Sequence, residues 1–141
     1  MAFNLADHTI ECANGYILRG DQLKGKLVAI VNTASQCGFA RQWQCLMALH
    51  QKIAPNEWSI IAFPCNQFGA QEPLDNNSVC QWLSPDDDHV YVAKKMNALI
   101  EEPLYQWIIK EASWWSQPRW NFYVYWLNQS GELIQCWKPW Q

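Results

Sequence analysis

Six cysteines, at positions 12, 37, 45, 65, 80 and 136, are the residues of this chain best suited to chemistry. None belongs to a Cys-x-x-Cys pair and no cluster of histidines accompanies them, which argues against a structural zinc site. Half of the residues are apolar, enough for a core without staples, and the N-terminus shows no secretory pattern, so reduced thiols are expected. That leaves thiol reactivity at one or two positions. Cys37 has the best placement, since it separates a β-type run from a helical pattern and has Gly38 beside it to ease approach to the sulfur. A thiolate is the nucleophilic form, and the first turn of a helix favours an anion through unpaired N–H groups and the macrodipole. The same placement suits a small buried hydrophobe, and the residues alone leave both roles open.

The elements that position Cys37 follow from periodicity. Lys26 to Thr33 is an unbroken run rich in β-branched residues, the pattern of a strand buried on both faces. Apolar residues at 43, 46, 47, 49 and 53 then recur at helical spacing until Pro55-Asn56, and Trp58 to Phe63 reads as a second buried strand. Strand, helix, strand is a βαβ unit with a parallel pair. Upstream, Asn14-Gly15 marks a hairpin turn within residues 2 to 26, and Pro64 to Pro73 reads as a loop. Asn76 or Asn77 is expected to cap a short helix through Leu83. Pro103 suits the first turn of a helix through Lys110. Trp120 to Leu127 and Leu133 to Trp137 read as an antiparallel pair joined at Asn128 to Gly131. With 141 residues, no internal repeat and no linker, one domain over residues 1–141 is expected.

Three stretches, Val31-Asn-Thr-Ala-Ser-Gln-Cys-Gly-Phe39, Phe63-Pro-Cys-Asn-Gln-Phe-Gly-Ala-Gln-Glu-Pro73 and Trp120-Asn-Phe122, resemble glutathione peroxidase signatures and occur in family order. Glu102-Pro-Leu-Tyr105 resembles a further, less specific family segment. The resemblance implies an α/β, thioredoxin-like fold: a central mixed β-sheet flanked by helices, with an N-terminal β-hairpin. It also implies a peroxidase whose reactive cysteine is Cys37, with Gln71, Trp120 and Asn121 as its partners. Their amide and indole donors stabilise a thiolate without adding charge. Hydrogen peroxide and organic or lipid hydroperoxides would be reduced to water or alcohols through a thiolate and sulfenic acid cycle, regenerated by glutathione or thioredoxin, with no cofactor or metal. An alternative is a redox sensor that passes oxidation from Cys37 to a partner protein.

Some positions depart from the family pattern. The usual resolving cysteine of the thioredoxin-dependent branch aligns near Ser84, and Cys80, about one turn earlier, is the candidate resolver, with a buried helix-face role as the alternative. Cys12, Cys45 and Cys136 read as packing. A lysine common after the last motif is missing, so strong glutathione specificity is not expected. The stretch between the Pro103 helix and Trp120 is short, which implies a monomer or loose dimer, and the C-terminus reads as shortened. A net charge of -3 gives no electrostatic reason to expect nucleic acid or an anionic membrane as partner, and a cytoplasmic location is expected. Ten tryptophans, crowded towards the end, suit either replacement core volume, the favoured reading, or an apolar patch for a membrane or lipid substrate.

Overall fold

The computed structural model describes residues 3–23, 25–34, 41–53, 57–64, 89–94, 101–119 and 122–138. The chain opens with strands β1 (Thr9–Glu11) and β2 (Ile17–Arg19), paired antiparallel from Thr9↔Arg19 to Glu11↔Ile17. Gly15, at φ 90°, makes the expected turn, and the Asn14 side chain accepts from the Tyr16 backbone N–H at 3.0 Å. Gly20 follows β2 where the backbone packs tightly on residue 5: a Cβ there would fall 1.4 Å from the Leu5 carbonyl oxygen.

The main sheet holds five strands in the order β5-β4-β3-β6-β7. They are β3 (Leu27–Thr33), β4 (Trp58–Pro64), β5 (Val90–Val92), β6 (Val124–Leu127) and β7 (Leu133–Trp137). The three strands β3, β4 and β5 run parallel, whereas β6 and β7 run antiparallel to their neighbours. This is the mixed sheet of the expected thioredoxin-like fold. Helix α1 (Arg41–Lys52) lies between β3 and β4 in the chain, which completes the βαβ unit, and α2 (Pro103–Glu111) precedes β6.

Alternation along the central strands divides the core into two layers, because successive side chains of a strand point to opposite faces. Val28 and Ile30 of β3 and Ile61 and Phe63 of β4 pack with Leu18 of the hairpin and Leu104, Tyr105 and Ile108 of α2. Ala29 and Val31, with Ile60 and Ala62, pack on the other face against Trp43 and Leu46 of α1. Each fully buried aliphatic side chain of this kind stabilises the fold by about 1.5–3 kcal/mol. Helix α2 starts where the sequence signals it should: Pro103 occupies the first turn and Glu102 accepts from the Leu104 backbone N–H.

Three expectations shift. Strand β6 begins at Val124 rather than at position 120, because Phe122 adopts φ 66° and cannot continue an extended run. Ile53 lies one residue past the end of α1 and is 57% exposed instead of completing the buried stripe. The tryptophans divide between the two readings: Trp43, Trp58 and Trp126 are core, whereas Trp114 and Trp115 stand in solvent. The expected helix near Asn76 to Leu83 lies outside the described residues.

Candidate functional site

Parallel pairing sends β3 and β4 to the same edge of the sheet, with Thr33 opposite Pro64 in the last register position. β6 runs the other way beside β3, Val124 facing Val31, so its beginning meets the same edge. Neighbouring strands lie about 4.8 Å apart, and three chain segments therefore leave or enter the sheet within two strand spacings. One continues from Ala34 towards Cys37, one from Pro64 towards Gln71, and one arrives from Trp120 and Asn121 at Phe122. In parallel α/β sheets the carboxyl ends of the strands are where ligands bind, and this edge is that end of β3 and β4. Cys37, Gln71, Trp120, Asn121 and the candidate resolver Cys80 lie outside the described residues, as does Cys65.

The described part of this edge is tied together by backbone. The Phe122 N–H donates to the Asn32 carbonyl at 2.7 Å, joining the last motif to the first. Phe122 is buried at φ 66°, a conformation that non-glycine residues adopt rarely and at a cost, and one that recurs where structure is committed to a site. Asn32 and Thr33 are fully buried beneath the edge, and the Thr33 hydroxyl finds no hydrogen-bond partner among the described residues. The positioning role of Phe122 was not readable beforehand, because phenylalanine carries no signal for a left-handed backbone.

The described thiols behave unlike nucleophiles or sit away from the edge. Cys12 is buried in the hairpin layer, as expected of a packing residue. Cys136, opposite Tyr125 in β7, is half-buried, and burial pushes its thiol up, with smaller opposing contributions from Lys138 and from hydrogen bonds with Tyr125 and Ser116. A raised thiol is protonated at neutral pH and a poor attacking group. Cys45 departs from its expected packing role and is exposed. Two residues beyond Trp43 on α1 it points about 200° around the helix axis, away from the sheet. Among the described residues no three His, Cys, Asp or Glu side chains gather as a metal site.

Comparison with known proteins bears on this edge. A family model described as glutathione peroxidase matches residues 5–109. A mouse protein called probable glutathione peroxidase 8 is 31% identical over 134 residues, covering 92% of this chain and 63% of the relative. The chain thus spans under two thirds of that relative's length. A glutathione peroxidase-like peroxiredoxin, HYR1 of Saccharomyces cerevisiae, is 36% identical over 121 residues, covering 82% of this chain and 74% of the relative. Among solved structures, Trgpx in its apo form superposes with a TM-score of 0.74 at 29% identity, covering all of this chain and 88% of that one.

Proposed function

The chain belongs to the glutathione peroxidase family, and we propose that it is a thiol peroxidase which reduces hydroperoxides through Cys37. The observation that carries the reading is the meeting of three motif-bearing segments at one sheet edge, through the Thr33 and Pro64 register and the Phe122 to Asn32 hydrogen bond. The raised thiol of Cys136 and the burial of Cys12 remove two competing sulfurs.

In the proposed cycle the Cys37 thiolate attacks the terminal oxygen of the peroxide. A sulfur–oxygen bond forms as the oxygen–oxygen bond breaks, and the leaving oxygen takes a proton to depart as water or an alcohol. The sulfur, oxidised by two electrons, is then a sulfenic acid. Gln71, Trp120 and Asn121 hold the anion beforehand through neutral donors, which keeps the thiol ionised without adding a charge that would repel apolar peroxides. A second thiol attacks the sulfenic sulfur, expels water and leaves a disulfide, which a further thiol reduces. Cys80 is the proposed internal resolver and thioredoxin the preferred reductant over glutathione, because the chain lacks the lysine that would meet a glutathione carboxylate. The electrons come from thiols throughout, so the cycle requires no cofactor. We further propose a single domain over residues 1–141, acting in the cytoplasm as a monomer or loose dimer.

Peroxide consumption coupled to thioredoxin or to glutathione tests the proposal. Cys37→Ser is expected to lower turnover by at least about a thousandfold. Mass spectrometry after one equivalent of peroxide is expected to find Cys37 joined to Cys80. Unchanged turnover in Cys37→Ser would overturn the peroxidase assignment, and a persistent Cys37 sulfenic acid would overturn the role of Cys80.

A further inference from the structure

Trp114 and Trp115 are 65% and 70% exposed, the largest exposures among the bulky apolar side chains of the described residues. They pack edge to face with ring centroids 4.6 Å apart and open a short 3-10 turn, Trp114–Ser116, between α2 and β6. Single exposed apolar residues are ordinary, but two adjacent indoles held outward are not. The turn is fixed from three sides. Gln117 Nε2 donates to the Ile109 and Ala112 carbonyls at 2.8 and 3.0 Å, the Tyr125 hydroxyl donates to the Ser116 carbonyl at 2.7 Å, and Arg119 Nη2 donates to the Trp114 carbonyl at 2.8 Å. Such bonding presents the indoles in place, where an unconstrained loop would fold them back onto the core.

The chemistry around the pair narrows what it meets. The Arg119 guanidinium lies 4.6 Å from the Trp114 ring centre and spends one nitrogen on the Trp114 carbonyl, which leaves further N–H donors for phosphate oxygens. Lys110 and Glu111 are both exposed in the last turn of α2, so Arg119, in contact with the Trp114 ring, is the cation that the pair itself presents. Indoles beside basic side chains form the composition that settles at the headgroup level of a bilayer, with the rings in the interface and the cations on phosphate.

We propose that the Trp114–Ser116 turn with Arg119 docks the protein on the surface of a lipid bilayer carrying anionic headgroups. The docking is independent of the peroxidase reading, because its measurement is binding and not turnover. Vesicle flotation tests it, with phosphatidylcholine vesicles and with vesicles in which about one lipid in four is phosphatidylglycerol. The protein is expected to float with the mixed vesicles. Trp114→Ser/Trp115→Ser is expected to weaken partitioning by about tenfold or more while leaving the thermal melt unchanged, since both side chains are outside the core. Arg119→Gln is expected to weaken it about fivefold on mixed vesicles only. Trp115→Ser alone supplies the same comparison should the double change disturb the fold. No flotation of the unaltered protein, or equal flotation of the tryptophan variants, overturns the proposal. So does sedimentation showing a dimer that the double change converts to monomer, which would assign the patch to a second copy of this chain.

Discussion

The Glu102 carboxylate, 4% exposed, accepts from the Leu104 backbone N–H at 3.2 Å and meets His8 Nε2 at 2.5 Å. One side chain thereby caps α2 and fastens it to the N-terminal segment. Glu102→Ala would strip a buried helix donor and a part-buried imidazole of their partner, so a loss of about 2–3 kcal/mol is expected. Glu102→Gln, which keeps an acceptor for the Leu104 N–H, should lose less. Urea denaturation midpoints decide the matter, and an alanine variant as stable as the parent would rule out the capping role. The start of α2 could be read in advance from Pro103, because proline at that position is a local signal. His8 could not, since 94 residues of chain separate it from Glu102 and only the folded topology brings them together. Cys45 shows the reverse case: the 3.6-residue period sets it away from the Trp43 and Leu46 stripe, so its exposure, against the packing expectation, is legible from spacing.

At the level of elements, β3 and β4 announced themselves through apolar β-branched runs long enough to exclude a half-buried strand. β5 did not, because Val90-Tyr91-Val92 is only three residues long and its pairing with β4 supplies what its own pattern lacks. The proposed site divides in the same way. Placement at a strand and helix junction singled out Cys37, whereas local rules would read Gln71 as a loop residue, Trp120 as core and Asn121 as a strand-edge residue. Their grouping came from resemblance to a family; local rules miss it because β3 pairs on one side with β4, the next strand in the chain, but on the other with β6, which follows only after β5 and α2. A sheet built this way should open from its margin. β3 is paired along both sides and fully buried from Val28 onwards, while β7, among the described residues, pairs only with β6 and carries exposed Ile134 and Trp137. Amide hydrogen exchange is expected to be slowest in β3 and β4 and faster in β7. Slower exchange in β7 than in β3 would mean that an unrecognised contact protects the margin.

At the level of the molecule, the described groups with the clearest shifted protonation share one layer. Tyr123 and Tyr125 lie in the core on the α2 face of the sheet, with Cys136 packed against them. Burial is the leading cause that pushes all three up from their ordinary values, helped at both tyrosines by the neighbouring Cys136 and opposed by Arg119. In each case the folded protein holds its proton at a pH where the unfolded chain has released it. Unfolding then releases protons, and stability must fall as pH rises above the unfolded values, about 8.5 for a thiol and about 10 for a phenol. Below that range the three groups are protonated in both states and their contribution to stability is constant. The denaturation midpoint is therefore expected to hold steady from this layer's point of view near about pH 7 and to drop between about pH 9 and about pH 11. Cys136→Ala separates the contributions, because it removes the thiol together with its effect on both tyrosines, so the first part of the drop should flatten while the phenol part persists. A parent protein whose midpoint rises over that interval would contradict the burial of this layer, since only groups that ionise more readily in the folded state can give that sign.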